Sequence, residues 1–192
     1  MKKIIAMVVL VLTTLTMSAQ RKSGFAVKAG VGLSSVVGSD ADAKLTFAYK
    51  AGVSYELGLA EDFSLIPGLE FVTKGFKSKN IDGNVSMTYI QIPVFVAFKI
   101  PVSDEMKLAI KIGPYASYGL FGSDIYWYGG REVNVFDSDK GLERFDAGGI
   151  AGISLDFSEC SVGLEYSRGL TKLDSHYNQF NQAFGLVVSY KF

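Results

Sequence analysis

From Phe25 onward apolar and polar residues alternate with a period of two, which on a β-strand puts one kind on each face. Residues 44–59 show it most cleanly. Leu45, Phe47, Tyr49, Ala51, Val53, Tyr55, Leu57 and Leu59 share one phase, and Lys44, Thr46, Lys50, Gly52, Ser54, Glu56 and Gly58 the other. The C-terminal stretch repeats the rule, with Phe184, Leu186, Val188, Tyr190 and Phe192 set against Ala183, Gly185, Ser189 and Lys191. The pattern predicts eight strands, over 23–33, 44–59, 63–76, 85–100, 106–121, 145–157, 160–170 and 182–192, and no segment of helical period. Short turns at 60–62, 101–105 and 158–159 alternate with longer loops near 34–43, 78–84, 122–144 and 171–181.

Each predicted strand reaches the ~9 to 11 residues that cross a bilayer at a tilt, and a closed barrel leaves no backbone group unpaired in hydrocarbon. Alternation alone does not say which face looks outward, but three features do. The polar phase is rich in glycine, including Gly30, Gly32, Gly52, Gly113, Gly148, Gly152, Gly163 and Gly185, as a narrow lumen requires. Strand charges keep the polar phase: Lys28, Lys50, Glu56, Glu70, Lys74, Lys99, Lys107, Lys111, Asp146, Asp156 and Glu165, with Arg168 the exception. On the apolar face, aromatics gather towards strand ends: Phe25, Phe63, Phe98, Phe157, Tyr190 and Phe192 at one rim, and Phe47, Tyr49, Phe71, Tyr118, Phe145, Tyr166 and Phe184 towards the other. Two interfacial girdles have that distribution. The expected fold is all-β: an eight-stranded antiparallel up-and-down transmembrane β-barrel, set against outer-membrane lipid. Tight turns on one side and long loops on the other place both termini in the periplasm.

Lys2 and Lys3, the apolar run from Ile4 to Leu12 and the small polar stretch ending at Ala19 make an expected secretory signal peptide over 1–19, ahead of a barrel domain over 20–192. Its loss takes two lysines and leaves a formal charge of −2, which points to no nucleic-acid partner. Cys160 is the sole cysteine, so no disulfide closes within the chain.

The segment Tyr89-Ile90-Gln91-Ile92-Pro93-Val94-Phe95-Val96-Ala97-Phe98-Lys99 resembles one that recurs in the PorT-like outer-membrane barrel family of the Bacteroidetes. So do Gly113-Pro114-Tyr115, Phe145-Asp146-Ala147-Gly148 and Tyr166-Ser167-Arg168-Gly169-Leu170. Family members usually carry an acidic residue where Gln91 stands. The resemblance implies a small outer-membrane barrel, with some members linked to protein secretion at the cell surface, and supplies no catalytic motif. Phe192, with apolar residues at alternate positions before it, is similar to the C-terminal signal read by the barrel assembly machinery.

Lys28, Lys50, Glu56, Glu70, Lys111 and Glu165 share the lumen phase near mid-barrel and are expected to pair as a structural charge network, because buried charges need partners. Tyr126, Trp127 and Tyr128, in the third long loop, are a possible external contact surface or an extension of the outer girdle. His176 lies beside Asp174 and Ser175, the residue types of an esterase triad, but neighbours in one loop cannot all aim at one reacting atom without a scaffold. Asp137, Asp139 and Glu143 lack the spacing and glycine of a calcium loop. No catalytic residue, cofactor or metal is assigned. The expected role is that of a structural or interaction scaffold working through external loops, with an envelope or secretion protein as partner; the alternatives are a narrow solute channel and a secretion-accessory barrel.

Overall fold

The computed structural model of the protein describes residues 23–38, 43–78, 84–125, 132–136, 142–173 and 178–192. Ten strands follow one another: β1 Gly24–Gly38, β2 Ala43–Lys44, β3 Thr46–Gly58, β4 Phe63–Ser78, β5 Asn84–Ser103, β6 Met106–Ile125, β7 Glu132–Asn134, β8 Phe145–Asp156, β9 Cys160–Gly169 and β10 Gln179–Lys191. Eight of these, all but the short β2 and β7, pair antiparallel with their neighbours in chain order. The seam closes where β10 pairs with β1, from Ala26↔Lys191 to Gly38↔Gln179. The sheet is therefore a closed eight-stranded barrel, with β2 added beside the loop end of β4 and β7 beside that of β6.

Side-chain direction follows the expected phase. Val27, Val31, Phe47, Val53, Leu69, Ile92, Ile112, Ile153, Leu164 and Leu186 point outward and are exposed, as are all thirteen aromatics of the two girdles. So much uncovered apolar surface is stable only against hydrocarbon. Pro93 and Pro114, which cannot donate to a ladder, each mark an interruption. Pairing of β4 with β5 skips from Pro67↔Val94 to Glu70↔Gln91, and that of β5 with β6 from Pro93↔Tyr115 to Val96↔Ile112.

The loop end departs from the sequence-based bounds. β1 continues to Gly38, β6 to Ile125, and β10 begins at Gln179, so the wall stands taller at that end than the periodicity of 23–33, 106–121 and 182–192 predicts. Pro101, Val102 and Ser103 belong to β5, which shrinks the expected turn 101–105 to Asp104 and Glu105. The expected strand 44–59 breaks at Leu45, where β2 leaves β3. Between this break and Lys50, β3 does not pair with β4, and side chains take over the backbone's role. The Tyr49 amide donates to Thr73 Oγ1 (2.8 Å), and the Thr73 hydroxyl donates to the Tyr49 carbonyl (3.1 Å). Ser34 does the same for Gly75, donating to its carbonyl and accepting from its amide. Hydroxyls on the wall thus satisfy backbone groups that the ladder has left.

Candidate functional site

The lumen is filled in layers, because side chains from facing strands meet across a narrow barrel. At mid-height Lys28 on β1, Lys50 on β3, Glu70 on β4 and Glu165 on β9 form a ring. Lys28 Nζ lies 2.7 Å from Glu70 Oε1 and 3.0 Å from Glu165 Oε1, and Lys50 Nζ lies 2.7 Å from Glu165 Oε2 and 3.8 Å from Glu70 Oε2. Each carboxylate serves both ammonium groups, so the ring is neutral as a unit. Lys28 also sits over the Phe95 ring, 5.2 Å from its centroid. Opposite Glu70 in the ladder stands Gln91, fully buried, whose Oε1 accepts no hydrogen bond from the described residues.

Nearer the turns a second cluster gathers around Lys99, 2.7 Å from Glu56 and 3.1 Å from Asp156. Lys191 reaches Glu56 at 3.1 Å, Ser64 donates to it, and Lys111 faces Asp156 at 3.8 Å. The six residues expected as one network therefore divide. Lys28, Lys50, Glu70 and Glu165 meet, whereas Glu56 and Lys111 belong to the second cluster. The reason is height: Gly24 pairs with Glu56 but Gly30 with Lys50, a separation that phase alone does not register.

Towards the loops Lys74 and Asp146 make a fully enclosed pair at 2.7 Å, with only 3 % of either side chain exposed. Asp146 also accepts from the Tyr115 hydroxyl (3.1 Å) and the Thr171 hydroxyl (3.1 Å), while its own carbonyl accepts from Ser117. Lys74 lies over the rings of Tyr115 and Tyr89, 4.3 and 5.2 Å from their centroids. Glycine is required beside this pair: a methyl added at Gly169 would meet the Asp146 carboxylate, and one added at Gly148 would meet the Arg168 carbonyl. Tyr89, Tyr115, Asp146, Gly148 and Gly169 come from four separated stretches of chain and converge here. Sequence reasoning placed Lys74 and Asp146 in the lumen phase without pairing them.

Above this pair the lumen becomes apolar. Val36, Val72, Val85, Met87, Tyr89 and Leu173 form a buried cluster into which Val135 and Phe136 are packed, just beyond β7. The Phe136 ring meets Tyr89 edge-on with centroids 6.0 Å apart, and the Arg144 guanidinium lies 5.1 Å from the Phe136 centroid. Part of the long third loop therefore turns inward and caps the barrel. The sequence carried a signal for it. Val85, Met87 and Tyr89 are apolar in the lumen phase with polar Ser86 and Thr88 between them, the reverse of the phase at Ile90 and Ile92, and apolar side chains that face the lumen need cover from inside the barrel.

The layers leave little space inside. Cavities of about 40 and 30 Å³ beside the central ring hold no more than single waters. At the turn end a vestibule of about 630 Å³ is lined by Glu56, Lys99, Lys107, Lys111, Asp156 and Lys191. Tyr126, Trp127, Tyr128, Asp137, Asp139, Asp174, Ser175 and His176 lie outside the described residues. Glu143 is exposed, its amide donating to the Leu173 carbonyl. Cys160 is exposed at the rim of the vestibule.

A closed barrel with a charged lumen, an apolar exterior and two aromatic girdles defines a small membrane-spanning barrel of the outer-membrane type. The sequence matches the outer membrane protein beta-barrel domain over residues 18–175, and the chain belongs to that family. Among solved structures it is similar to Neisserial surface protein A (11 % identity, 90 % of this chain and 100 % of that one, TM-score 0.56). It is also similar to the outer membrane enzyme PagL (14 % identity, 87 % and 99 % covered, TM-score 0.55) and to Ail of Yersinia pestis (15 % identity, 90 % and 100 % covered, TM-score 0.49). No curated protein matches the sequence. The protein is thus a small bacterial outer-membrane β-barrel.

Proposed function

We propose that this protein is a rigid, plugged barrel that acts as a non-enzymatic docking scaffold, presenting its long loops outside the cell to an envelope or secretion protein. The observation that carries the reading is the filling of the lumen. A neutral ring of four charges, a buried Lys74–Asp146 pair and an inserted apolar cap stand in series along its axis. Such a stack stiffens a wall and gives a solute no continuous wet path, so recognition falls to the outer surface. In this reading residues 1–19 are the signal peptide, the turns and both termini face the periplasm, and the strand ending at Phe192 is handed to the barrel assembly machinery.

The chain falls in this reading within the PorT-like branch of small barrels. In support, the four stretches that carry that resemblance supply Tyr89, Tyr115, Asp146, Gly148 and Gly169, which build one buried site around Lys74. A secretion-accessory role follows from that branch.

Two measurements test the proposal. In planar bilayers the purified barrel should show no stepwise conductance; regular channel openings would replace the scaffold with a pore. A photo-crosslinker at Trp127 in native outer membranes should capture one protein, whose deletion and that of this barrel impair export of the same proteins. Capture of lipid alone would assign Trp127 to the girdle and remove the docking role from that loop.

A further inference from the structure

Arg168 breaks the strand phase at the level of the aromatics; the other exposed strand charges among the described residues, Lys44 and Lys77, pair with each other in the ladder at the loop ends of β2 and β4. Lys28, Lys50, Glu70, Lys74, Asp146 and Glu165 face the lumen and are paired there, whereas Arg168 stands exposed on the outer face of β9. No carboxylate among the described residues pairs with it. Its ladder partners are Gln182 on β10 and Gly149 on β8, so Gln182 shares its outward row. Tyr166, two residues nearer the turns in the same phase, donates its hydroxyl to Gln182 Oε1 at 3.5 Å, which leaves the Gln182 amide group free to donate. Three polar groups thus line up on a surface that is otherwise hydrocarbon-facing, at the level of the outer girdle, where Tyr118, Phe145, Tyr166 and Phe184 are exposed.

The surface beside them is bare. A methyl added at Gly149 would meet nothing within 4 Å, and its ladder partner is the small Pro114. A guanidinium at membrane depth is tolerated near the interface, where a phosphate of the lipid headgroup layer can supply its counter-charge. Arginine's planar fork matches phosphate oxygens two at a time, and a phosphomonoester offers more charge and more free oxygens than a diester.

We propose that Arg168, with the Gln182 amide group that Tyr166 orients, holds the phosphate of a phosphorylated glycolipid in the outer leaflet, with the lipid body lying over the bare surface at Gly149. The site rests on the orientation given above, in which the loop end faces outward.

The test uses the full barrel in nanodiscs of phosphatidylcholine doped with lipid A carrying its phosphates, with the same lipid A dephosphorylated, or with phosphatidylglycerol. Lipid retained after detergent extraction is counted by native mass spectrometry. Phosphorylated lipid A should be retained at least tenfold over either other dopant. Arg168→Gln should abolish that preference while the barrel keeps its heat-modifiable migration on gels, Arg168→Lys should keep part of it, and Gly149→Leu should lower retention of both forms of lipid A. Equal retention by wild type and Arg168→Gln overturns the site, as does a preference for phosphatidylglycerol. Orientation is read separately, by labelling Glu61→Cys, in a Cys160→Ser background, on intact cells. Labelling from outside would overturn the orientation and with it the leaflet assigned to the lipid, whereas a failed nanodisc result overturns the site even when Glu61→Cys stays protected.

Discussion

At mid-height the lumen is filled by Lys28, Lys50, Glu70 and Glu165; further towards the loops the same kind of cross-section is filled by Met87, Tyr89, Val135, Phe136 and Leu173. The first filling comes entirely from barrel strands, whose side chains are fixed in height by the ladder. Part of the second comes from a segment tied to β6 by the three pairs of β7 and by the Val135 amide, which donates to the Gly122 carbonyl. Charge therefore serves where the wall itself supplies both partners, and apolar packing serves where an added segment has only a short ladder to hold it. The first should behave as part of the barrel's stability, the second as a separable cap.

Substitutions should divide along that line. The largest effect is expected at the enclosed pair: Asp146→Ala leaves Lys74 without its carboxylate in a dry site, at a cost of ~3–5 kcal/mol in urea unfolding from lipid vesicles. Glu70→Leu should fall at the lower end of that range without raising conductance, since the ring loses a partner but no path opens. Lys28→Met combined with Glu70→Leu should recover most of that loss, because Lys50 and Glu165 remain as a neutral pair. Additive losses in the double variant would show that the ring is not a unit. Phe136→Ala should cost ~3 kcal/mol at most, because a cap resting on a short ladder relaxes more readily than a wall. Its signature is faster hydrogen exchange confined to the amides of β7 and Val135; exchange spreading through β8 and β9 would make the cap part of the wall. The smallest effect is expected from Thr73→Val, which removes the hydroxyl serving both backbone groups of Tyr49, at ~1–2 kcal/mol in the same unfolding assay.

The sequence reveals the barrel more fully than its interior. Alternation through 44–59 and 182–192 identified strands, glycine and charge identified the inward face, and both hold in the wall from Thr46 to Gly58 and from Gln182 to Lys191. Height was not legible. Pairing of charges requires ladder register, and register depends on bulges such as the shift between Thr88 and Tyr89, which alternation does not display. The loop-end extensions of β1, β6 and β10 were missed for a related reason. There the wall rises past the apolar band and contains Ser34, Ser35, Gln179 and Asn181, whose polarity reads as loop. The cap was half visible, in the apolar residues Val85, Met87 and Tyr89 of the lumen phase. Its partner segment, Val135-Phe136, is too short to carry any period.

The seam between β1 and β10 joins the first described strand to the last across thirteen ladder positions. No other contact in the wall spans so much of the chain, so the most distant pairing is also the one that removes both open edges. The barrel cannot be finished piecemeal from its first strand. Until β10 arrives, every intermediate is an open sheet with an apolar face, prone to joining another chain instead of itself. Transit across an aqueous compartment therefore requires that the strands be kept apart, and closure is a single event that waits for β10.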